Sequence, residues 1–395
     1  MGAPAAIVLI VLAVLSFGIV AWQYVAARRF PLHQRVAARG EAPGITLLKP
    51  LKGCDVHTRE CLESWMSQEY AGPVQVLFLV QDPNDPVCGL VRELLAGHPD
   101  RDARLCVFPE LVGVNAKVSK LAQAEALAVH DLILISDADV RVPSDFLANL
   151  VGPLRDPAVG LVNGFYRLAN PVTAAMRWEA VAANADFWSQ VLQSRTLAPM
   201  DFALGAAMLV RRKALEQIGG FRSLVDHLAD DFQLGHRLVK SGWKVELSPV
   251  VVECLDAPSG WAAVWAHQVR WNRTIRVCRP APYAASILSN GTLWPLMASV
   301  AVWFTAAIPD AWAFRLLGLF AFFLLARSWM AWSLAARLAA IPGRPPSAEG
   351  WVFAMAIPRD LLGVAVWAAA LFGDRVVWRG VRYRVGRDGR LTREA

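Results

Sequence analysis

Charged residues and paired cysteines are both scarce in this chain of 395 residues. Only 18% of the residues are charged and 55% are hydrophobic, a balance too apolar for an ordinary soluble enzyme. None of the six cysteines belongs to a C-x-x-C pair, so neither a zinc site nor a disulfide framework is indicated. No DNA- or RNA-binding motif is present, and we expect no nucleic-acid partner. A protein with membrane-spanning and globular parts fits this composition best.

Long apolar runs lie at both ends of the chain. Ala5–Ala27 contains no charged residue and exceeds the roughly 20 residues needed to cross a bilayer. Its length and flanking charges differ from those of a cleaved signal peptide, so we expect a membrane anchor. Arg28, Arg29, Arg35 and Arg39 follow it. The positive-inside rule therefore predicts an external N-terminus and a cytoplasmic domain after the anchor.

Three further apolar segments precede the C-terminus. Ser286–Pro309 and Ala311–Ala336 are long enough to span, whereas Pro358-Arg359-Asp360 divides Trp351–Gly373 and leaves a short remainder. The tail is rich in arginine, which suits the cytoplasmic side and an anionic lipid surface. We therefore expect two crossings, with 351–373 re-entrant or interfacial. The tail arginines are Arg375, Arg379, Arg382, Arg384, Arg387 and Arg390.

The stretch Leu132–Pro143 has the features of an active-site strand. Its first four residues are apolar, as in a buried parallel strand, and Asp137 and Asp139 follow where the chain leaves the sheet. Residues two apart in extended backbone point the same way, so both carboxylates can face one site at the strand's carboxyl end. Two hard oxygen ligands there suit Mg²⁺ or Mn²⁺. The alternative is a loop with two solvated aspartates.

Strands and helices alternate around this stretch, which predicts a parallel sheet covered on both faces. The expected strands include Ile45–Leu48, Val74–Val80, Leu105–Phe108 and Val250–Val252, and the expected helices include Arg59–Glu69, Ala116–Val129 and Phe232–Lys240. The expected organisation is an anchor and basic linker at 1–40, an α/β domain at 41–259, an amphipathic interfacial helix at 260–284, transmembrane or re-entrant helices at 285–373, and a basic cytoplasmic tail at 374–395.

Four groups of polar residues fall at one predicted edge of this sheet. They are Asp82, the pair Asp137 and Asp139, the pair Asp230 and Asp231, and the segment containing His267, Arg270 and Trp271. Glycosyl transfer from a nucleotide sugar needs such a set. One carboxylate orients the nucleoside, a metal and a cation hold the leaving diphosphate, and another carboxylate removes the acceptor proton.

Seven motifs carry a resemblance to a known family. They are KPLKGCD (Lys49–Asp55), QDPNDP (Gln81–Pro86), GVNAKVSKL (Gly113–Leu121), SDADVRV (Ser136–Val142), LADDF (Leu228–Phe232), HQVRW (His267–Trp271) and WRGVRYRV (Trp378–Val385). In this order they resemble the ceramide glucosyltransferase family of inverting membrane glycosyltransferases, and also the closely similar bacterial hopanoid glycosyltransferases.

The resemblance implies a GT-A fold, a UDP-sugar donor, a membrane-lipid acceptor (ceramide or a hopanoid), and Mg²⁺ or Mn²⁺ as cofactor. By that resemblance Asp139 is a direct metal ligand and Asp231 is the catalytic base. The remaining assignments place Asp82, Asp137, Lys117 and Arg270 at the nucleotide sugar, Asp137 also near the metal, and Trp271, Asp230 and His267 on the acceptor side.

Alternatives accompany these expectations. Asp82 could simply begin a turn before Pro83, and Lys117 could be a helix-surface charge. We expect Asp230 to be the N-cap of the following helix, which leaves Asp231 to point into the cleft. The expected reaction is transfer of glucose from UDP-glucose to ceramide. The alternatives are N-acetylglucosamine transfer to a hopanoid, a processive polysaccharide synthase, and a catalytically silent nucleotide-sugar-binding scaffold.

Overall fold

The computed structural model describes residues 3–35, 42–305, 308–340, 349–378 and 381–394. The chain divides into two units. The sheet unit contains Leu32–Asn170, Ala198–Ala257 and Asp374–Ala395, and the helical unit contains Met1–Pro31, Pro171–Leu197 and Pro258–Gly373. The expected α/β domain at 41–259 thus includes a segment, Pro171–Leu197, that groups with the helices. Arg39 and Arg379 lie outside the described residues.

The secondary structure follows the predicted alternation. The strands are β1 (Ile45–Pro50), β2 (Val74–Val80), β3 (Asp102–Val107), β4 (Leu132–Ser136), β5 (Val140–Arg141), β6 (Val159–Leu168), β7 (Ala207–Arg211), β8 (Lys244–Cys254), β9 (Arg375–Trp378), β10 (Val381–Val385) and β11 (Leu391–Arg393). The α-helices are α1 (Ala3–Arg29), α2 (Thr58–Met66), α3 (Val87–Gly97), α4 (Ala116–Ala124), α5 (Phe146–Leu150), α6 (Ala174–Val181), α7 (Trp188–Leu197), α8 (Arg212–Gln217), α9 (Asp230–Lys240), α10 (Trp261–Cys278), α11 (Pro280–Ala285), α12 (Leu293–Trp303), α13 (Asp310–Leu338) and α14 (Trp351–Leu371).

The main sheet is mostly parallel, as expected. Over the described residues its strand order is β3-β2-β1-β4-β7-β6-β8-β5. The pairs β3-β2, β2-β1, β1-β4 and β6-β8 are parallel, while β7 runs antiparallel to β4 and β6, and β5 runs antiparallel to β8. The antiparallel strands were not predicted, because a short apolar run reads the same in either direction.

The central strands β1 and β4 are buried on both faces. Because they run parallel, the loops at their carboxyl ends lie at one edge of the sheet. All residues of β1 and β4 are buried, since each is apolar apart from a few paired polar groups. Trp65 of α2 covers the sheet and packs edge-on against Phe146 of α5, with ring centroids 5.6 Å apart.

Several helix boundaries differ from the expected ones. Helix α4 begins as predicted, because the side chain of Asn115 accepts hydrogen bonds from the N–H groups of Lys117 and Val118, but it ends at Ala124 instead of Val129. The sequence Asp85-Pro86 predicts an N-cap at Asp85 for α3, but the N-cap is Pro86, one residue later. The sequence also predicts Ser144 as the cap of α5, but that helix begins at Phe146 with Asp145 at its N-cap.

Three helices within the described residues are long and apolar enough to cross a membrane, namely α1, α13 and α14. The expectation that Pro358-Arg359-Asp360 divides the last of them is wrong, since α14 is continuous from Trp351 to Leu371. One proline removes a single backbone hydrogen bond from its helix, and contacts with neighbouring helices can compensate for this loss. The broken segment lies earlier instead, where Pro280–Ser289 and Leu293–Trp303 meet at a bend of 50°.

Candidate active site

The loop after β4 and the start of α9 bring acidic side chains together at the carboxyl edge of the sheet unit. Asp137 and Asp139 follow β4, and Asp230 and Asp231 are the first two residues of α9. Lys117, in the first turn of α4, joins these two pairs. The sequence prediction that these residues share one edge is thus realised in the geometry of the sheet unit.

Lys117 is a buried bridge between the two acidic pairs. Its Nζ lies 2.8 Å from Oδ1 of Asp137 and 3.1 Å from Oδ2 of Asp230, and its side chain is only 8% exposed. Burial opposes its charge, but the ion pairs with Asp137 and Asp230 prevail and raise the pKa of Lys117. It is therefore a charged member of the cluster, and the alternative of a helix-surface charge is wrong.

Asp230 does not cap its helix. The N-cap of α9 is Ala229, and no side chain there makes a capping hydrogen bond. The helix begins one residue earlier than the capping argument required, and the carboxylate of Asp230 pairs with Lys117 instead. The N-cap expectation is therefore wrong, because the carboxylate of Asp230 pairs with Lys117 instead of accepting a hydrogen bond from a nearby backbone N–H.

Asp231 is held in an environment that favours its protonated form. Burial, together with the charge of Asp230, raises the pKa of Asp231 to about 6, although Lys117 opposes this. A Cβ placed on Gly205 would lie 3.0 Å from Oδ2 of Asp231, so the glycine leaves room for this carboxylate. A carboxyl group that titrates close to neutral pH is suited to accept a proton from a hydroxyl group.

The loop that carries Asp137 and Asp139 is held from behind by a buried cation. Nζ of Lys49 donates hydrogen bonds to Oγ of Ser136 and to the carbonyl oxygens of Asp137 and Val140, and it lies 4.9 Å from the ring centroid of Trp65. Burial lowers the pKa of Lys49 to about 8, against the nearby acidic groups that raise it. Lys49 belongs to the KPLKGCD motif, but this role for it was not predicted from the sequence. A lysine inside an apolar strand was the signal for this role.

Asp139 is the carboxylate most suited to a cation. Burial, with the charges of Asp137 and Asp256, raises the pKa of Asp139 to about 7, although Lys49 opposes this. A bound divalent cation would favour the ionised form, and hard oxygen donors match Mg²⁺ or Mn²⁺. No group of three or more His, Cys, Asp or Glu side chains within the described ranges is arranged to hold a metal ion. Asp137 and Asp139 fit such an ion only if substrate and water supply its other ligands.

A cavity of about 460 Å³ opens beside this cluster in the sheet unit. Its lining includes Asp82 and Asp85 after β2, Lys52 after β1, and Lys120 of α4. The carboxylate of Asp82 also accepts a hydrogen bond from the N–H of Asn84 at 2.8 Å, so the turn-forming alternative is correct as well. The turn presents an acidic and exposed Asp82 at the mouth of a partly basic cavity.

The predicted residues of the fourth group lie in the helical unit. His267, Arg270 and Trp271 all belong to α10. Nδ1 of His267 lies 2.7 Å from Oε1 of Glu179, and its ring is 4.4 Å from that of Trp271, centroid to centroid. Their predicted roles at the diphosphate and the acceptor remain predictions.

This chain is similar in sequence to known proteins. The model of Glycosyl transferase family 21 matches residues 8–391. Ceramide glucosyltransferase 3 of Caenorhabditis elegans is 25% identical over 223 residues, which cover 56% of this chain and 48% of that protein. An N-acetylglucosaminyltransferase of Rhizobium leguminosarum bv. viciae is 25% identical over 244 residues, which cover 59% of this chain and 55% of that protein. The chain thus spans about half the length of these curated relatives.

A solved structure shares the fold. It is a mannosyltransferase from Pyrobaculum calidifontis in complex with GDP-Man and Mn²⁺, with a TM-score of 0.52 and 22% identity. The alignment covers 93% of this chain and 97% of that one. This likeness confirms the predicted GT-A fold.

Proposed function

Because this chain belongs to glycosyl transferase family 21, we propose that it transfers glucose from UDP-glucose to the primary hydroxyl group of ceramide, at the cytoplasmic face of a membrane. The chain is a glycosyltransferase, and the predicted resemblance to the ceramide glucosyltransferases is confirmed. The cluster of Asp137, Asp139, Asp230 and Asp231 around Lys117 carries the proposal.

The cavity beside the cluster supports the donor half of the proposal. Asp82 at its mouth suits the imide N–H of a uracil ring, because a carboxylate accepts hydrogen bonds from such donors. Lys52 and Lys120 line the same cavity and give it positive charge for the diphosphate. We assign Asp137 and Asp139 to a divalent cation, which would stabilise the negative charge that grows on the leaving diphosphate.

The two aspartates of α9 support the acceptor half. An acceptor hydroxyl group is a poor nucleophile until its proton is removed, and Asp231 would take that proton as the hydroxyl oxygen attacks the anomeric carbon. Lys117 is already bound to Asp137 and Asp230, so it holds the donor-side and acceptor-side carboxylates in one fixed arrangement. Inversion at the anomeric carbon follows from a single direct displacement.

The tail supports the proposed topology. Strands β9, β10 and β11 belong to the sheet unit, and one folded unit lies on one side of a bilayer. The chain therefore crosses the membrane an even number of times between Ala257 and Asp374. Crossings by α13 and α14, with 280–303 re-entrant, satisfy this condition. Arg28 and Arg29, at the end of α1, favour the cytoplasm for the sheet unit.

A second candidate reaction is transfer of N-acetylglucosamine from its UDP-sugar to a hopanoid. The observation that favours it is the similarity to bacterial N-acetylglucosaminyltransferases. The two reactions would use the same metal, base and leaving diphosphate. They differ in the groups that contact the 2-substituent of the sugar and the lipid.

Product analysis tests the proposal directly. Purified full-length protein is incubated with Mn²⁺ or Mg²⁺, with UDP-glucose or UDP-N-acetylglucosamine, and with ceramide or a hopanoid, and the lipids are identified by mass spectrometry. We expect glucosylceramide, and none from the Asp231→Asn variant. An N-acetylglucosaminyl hopanoid would select the second candidate. A long glycan would indicate a polysaccharide synthase, and UDP-sugar binding without turnover would indicate a scaffold.

A further inference from the structure

The C-terminal hairpin, formed by β10 and β11 (residues 381–393), is bound to the loop that precedes the two aspartates of α9. The N–H of Leu391 donates a hydrogen bond to the carbonyl oxygen of Asp226 at 2.7 Å. The N–H of Leu228 donates to the carbonyl oxygen of Gly389 at 3.2 Å. His227 and Arg390 complete an antiparallel bridge between the two segments. Residues 389–391 of the hairpin thus act as a neighbouring strand for loop 226–228.

The same loop is bound on its other side to the segment that leads into α4. The N–H of Asn115 donates to the carbonyl oxygen of Val225 at 2.7 Å, and its side-chain Nδ2 donates to that of His227 at 2.8 Å. The N–H of Val114 donates to Oδ1 of Asp226 at 3.0 Å. Asn115 also caps α4, which carries Lys117. Loop 225–228 therefore links the hairpin to the helix whose lysine binds Asp137 and Asp230.

The hairpin has a buried side and an exposed side, which separate two roles. Tyr383, Val385 and Leu391 are buried, as is expected of a segment packed into the sheet unit. The tail arginines Arg382, Arg384 and Arg387 are exposed, and Arg384 pairs with Asp374 and Glu394. The contacts to loop 226–228 are made by backbone groups and do not use these three charges.

We propose that the C-terminal hairpin is a positioning element of the active site, which fixes loop 225–228 and thereby the start of α9. Only Ala229 separates this loop from Asp230, so a shift of the loop moves both aspartates of the helix. This inference rests on the proposed glycosyl transfer only for its kinetic readout. Its structural readout, the protection of backbone amides, is independent of the substrate.

The test compares Leu391→Pro with Leu391→Ala in the full chain. Proline removes the N–H that binds Asp226, while alanine keeps the N–H and shortens the buried side chain. We expect Leu391→Pro to lower kcat by about 10- to 100-fold, the size of loss that a small misplacement of catalytic groups produces. The donor KM should change less, because Lys52 and Asp82 of the cavity lie on the loops after β1 and β2. Leu391→Ala should keep most of kcat, and an equal loss in both variants would overturn the proposal.

Hydrogen exchange supplies the second readout. In Leu391→Pro, amides of 225–234 and 112–118 should exchange faster, while those of β1, β2 and β4 stay protected. If all strands lost protection, the hairpin would be a general stabiliser and the proposal would be overturned. Should Leu391→Pro fail to fold, Gly389→Ala gives a milder change, because Gly389 has a φ of +81° that a side chain strains. It should show the same pattern to a smaller extent.

A charge control separates positioning from lipid binding. The double variant Arg382→Gln, Arg387→Gln, which leaves the ion pairs of Arg384 with Asp374 and Glu394 in place, should keep kcat with the acceptor in neutral detergent micelles while binding less to anionic vesicles. A loss of kcat in those micelles equal to that of Leu391→Pro would assign the hairpin's effect to charge and overturn the proposal. If the wild type transfers no sugar at all, the proposed function fails, yet the exchange pattern still decides whether the hairpin holds the loop.

Discussion

Each unit of this protein contains a buried cation between two aspartates, and the two clusters differ in what surrounds them. In the sheet unit Lys117 pairs with Asp137 and Asp230. In the helical unit Arg327 of α13 lies 2.8 Å from carboxylate oxygens of both Asp186 and Asp360. Asp360 also accepts a hydrogen bond from Oγ1 of Thr292 at 2.7 Å.

The two clusters differ in exposure and in charge balance. The side chain of Asp137 is 40% exposed, whereas those of Asp186 and Asp360 are 14% and 6% exposed. Asp231 adds a third carboxylate near Lys117, while Arg359 adds a second cation near Asp186. The acidic, accessible cluster is arranged to take up a cation and a substrate. The sealed and balanced cluster is arranged to hold apolar helices together.

The largest expected effect is on the accessible cluster. Asp139→Asn should abolish transfer, because it removes the carboxylate assigned to the metal, and it should weaken UDP-sugar binding only when Mg²⁺ or Mn²⁺ is present. Calorimetric titration of UDP with and without metal, alongside a lipid glycosylation assay, measures both effects. Undiminished turnover of the wild type in EDTA would contradict the metal assignment.

Asp231→Asn should lower transfer by about 10²–10⁴-fold, the usual contribution of a general base, while UDP and metal binding stay close to those of the wild type. Asp230→Asn is the matched control on the adjacent residue. It should lose less activity than Asp231→Asn, and this smaller loss should come from the missing ion pair with Lys117. A dead Asp230→Asn beside a normal Asp231→Asn would reverse the two roles.

Removing the central cation of each cluster compares the two directly. Arg327→Met leaves the buried carboxylate of Asp360 without its cation and leaves Asp186 to the more distant Arg359. It should cost about 3–5 kcal/mol of stability, the usual loss when one partner of a buried pair is removed. Lys117→Met should cost less stability, since water reaches Asp137, but more activity per folded molecule. Thermal unfolding and specific activity separate the effects. In Arg327→Met, a second change, Asp360→Leu, should restore part of the lost stability.

The smallest effect is the dependence on pH. Because the pKa of Asp231 is raised to about 6, transfer should rise about tenfold per unit below pH 6 and level off above it. The folded state holds this proton more tightly than the unfolded state, so the contribution of Asp231 to stability falls as the pH rises from about 4 to about 6. In Asp231→Asn the fall of stability over that range should be shallower. An identical pH dependence in both proteins would contradict the raised pKa.

The sequence alone determined the features that depend on local pattern. Apolar runs bounded by turn residues located β2 and β4, and Asn115 located the start of α4. The D-x-D sequence of Asp137 and Asp139 marked the loop after β4, but the extended backbone expected there is wrong, since the chain turns at Ala138 and Asp139 and the N–H of Val140 donates to the carbonyl oxygen of Asp137. The order of the motifs identified the family.

Only the tertiary structure decided the rest, because those features depend on which distant groups meet. Lys117 pairs with a carboxylate that lies over one hundred residues away, so Asp230 binds a cation instead of capping its helix. The antiparallel direction of β7, the continuity of α14 through Pro358 and the docking of the hairpin on loop 226–228 likewise depend on partners that no local pattern encodes. Periodicity shows which residues are buried, but it does not show what they are buried against.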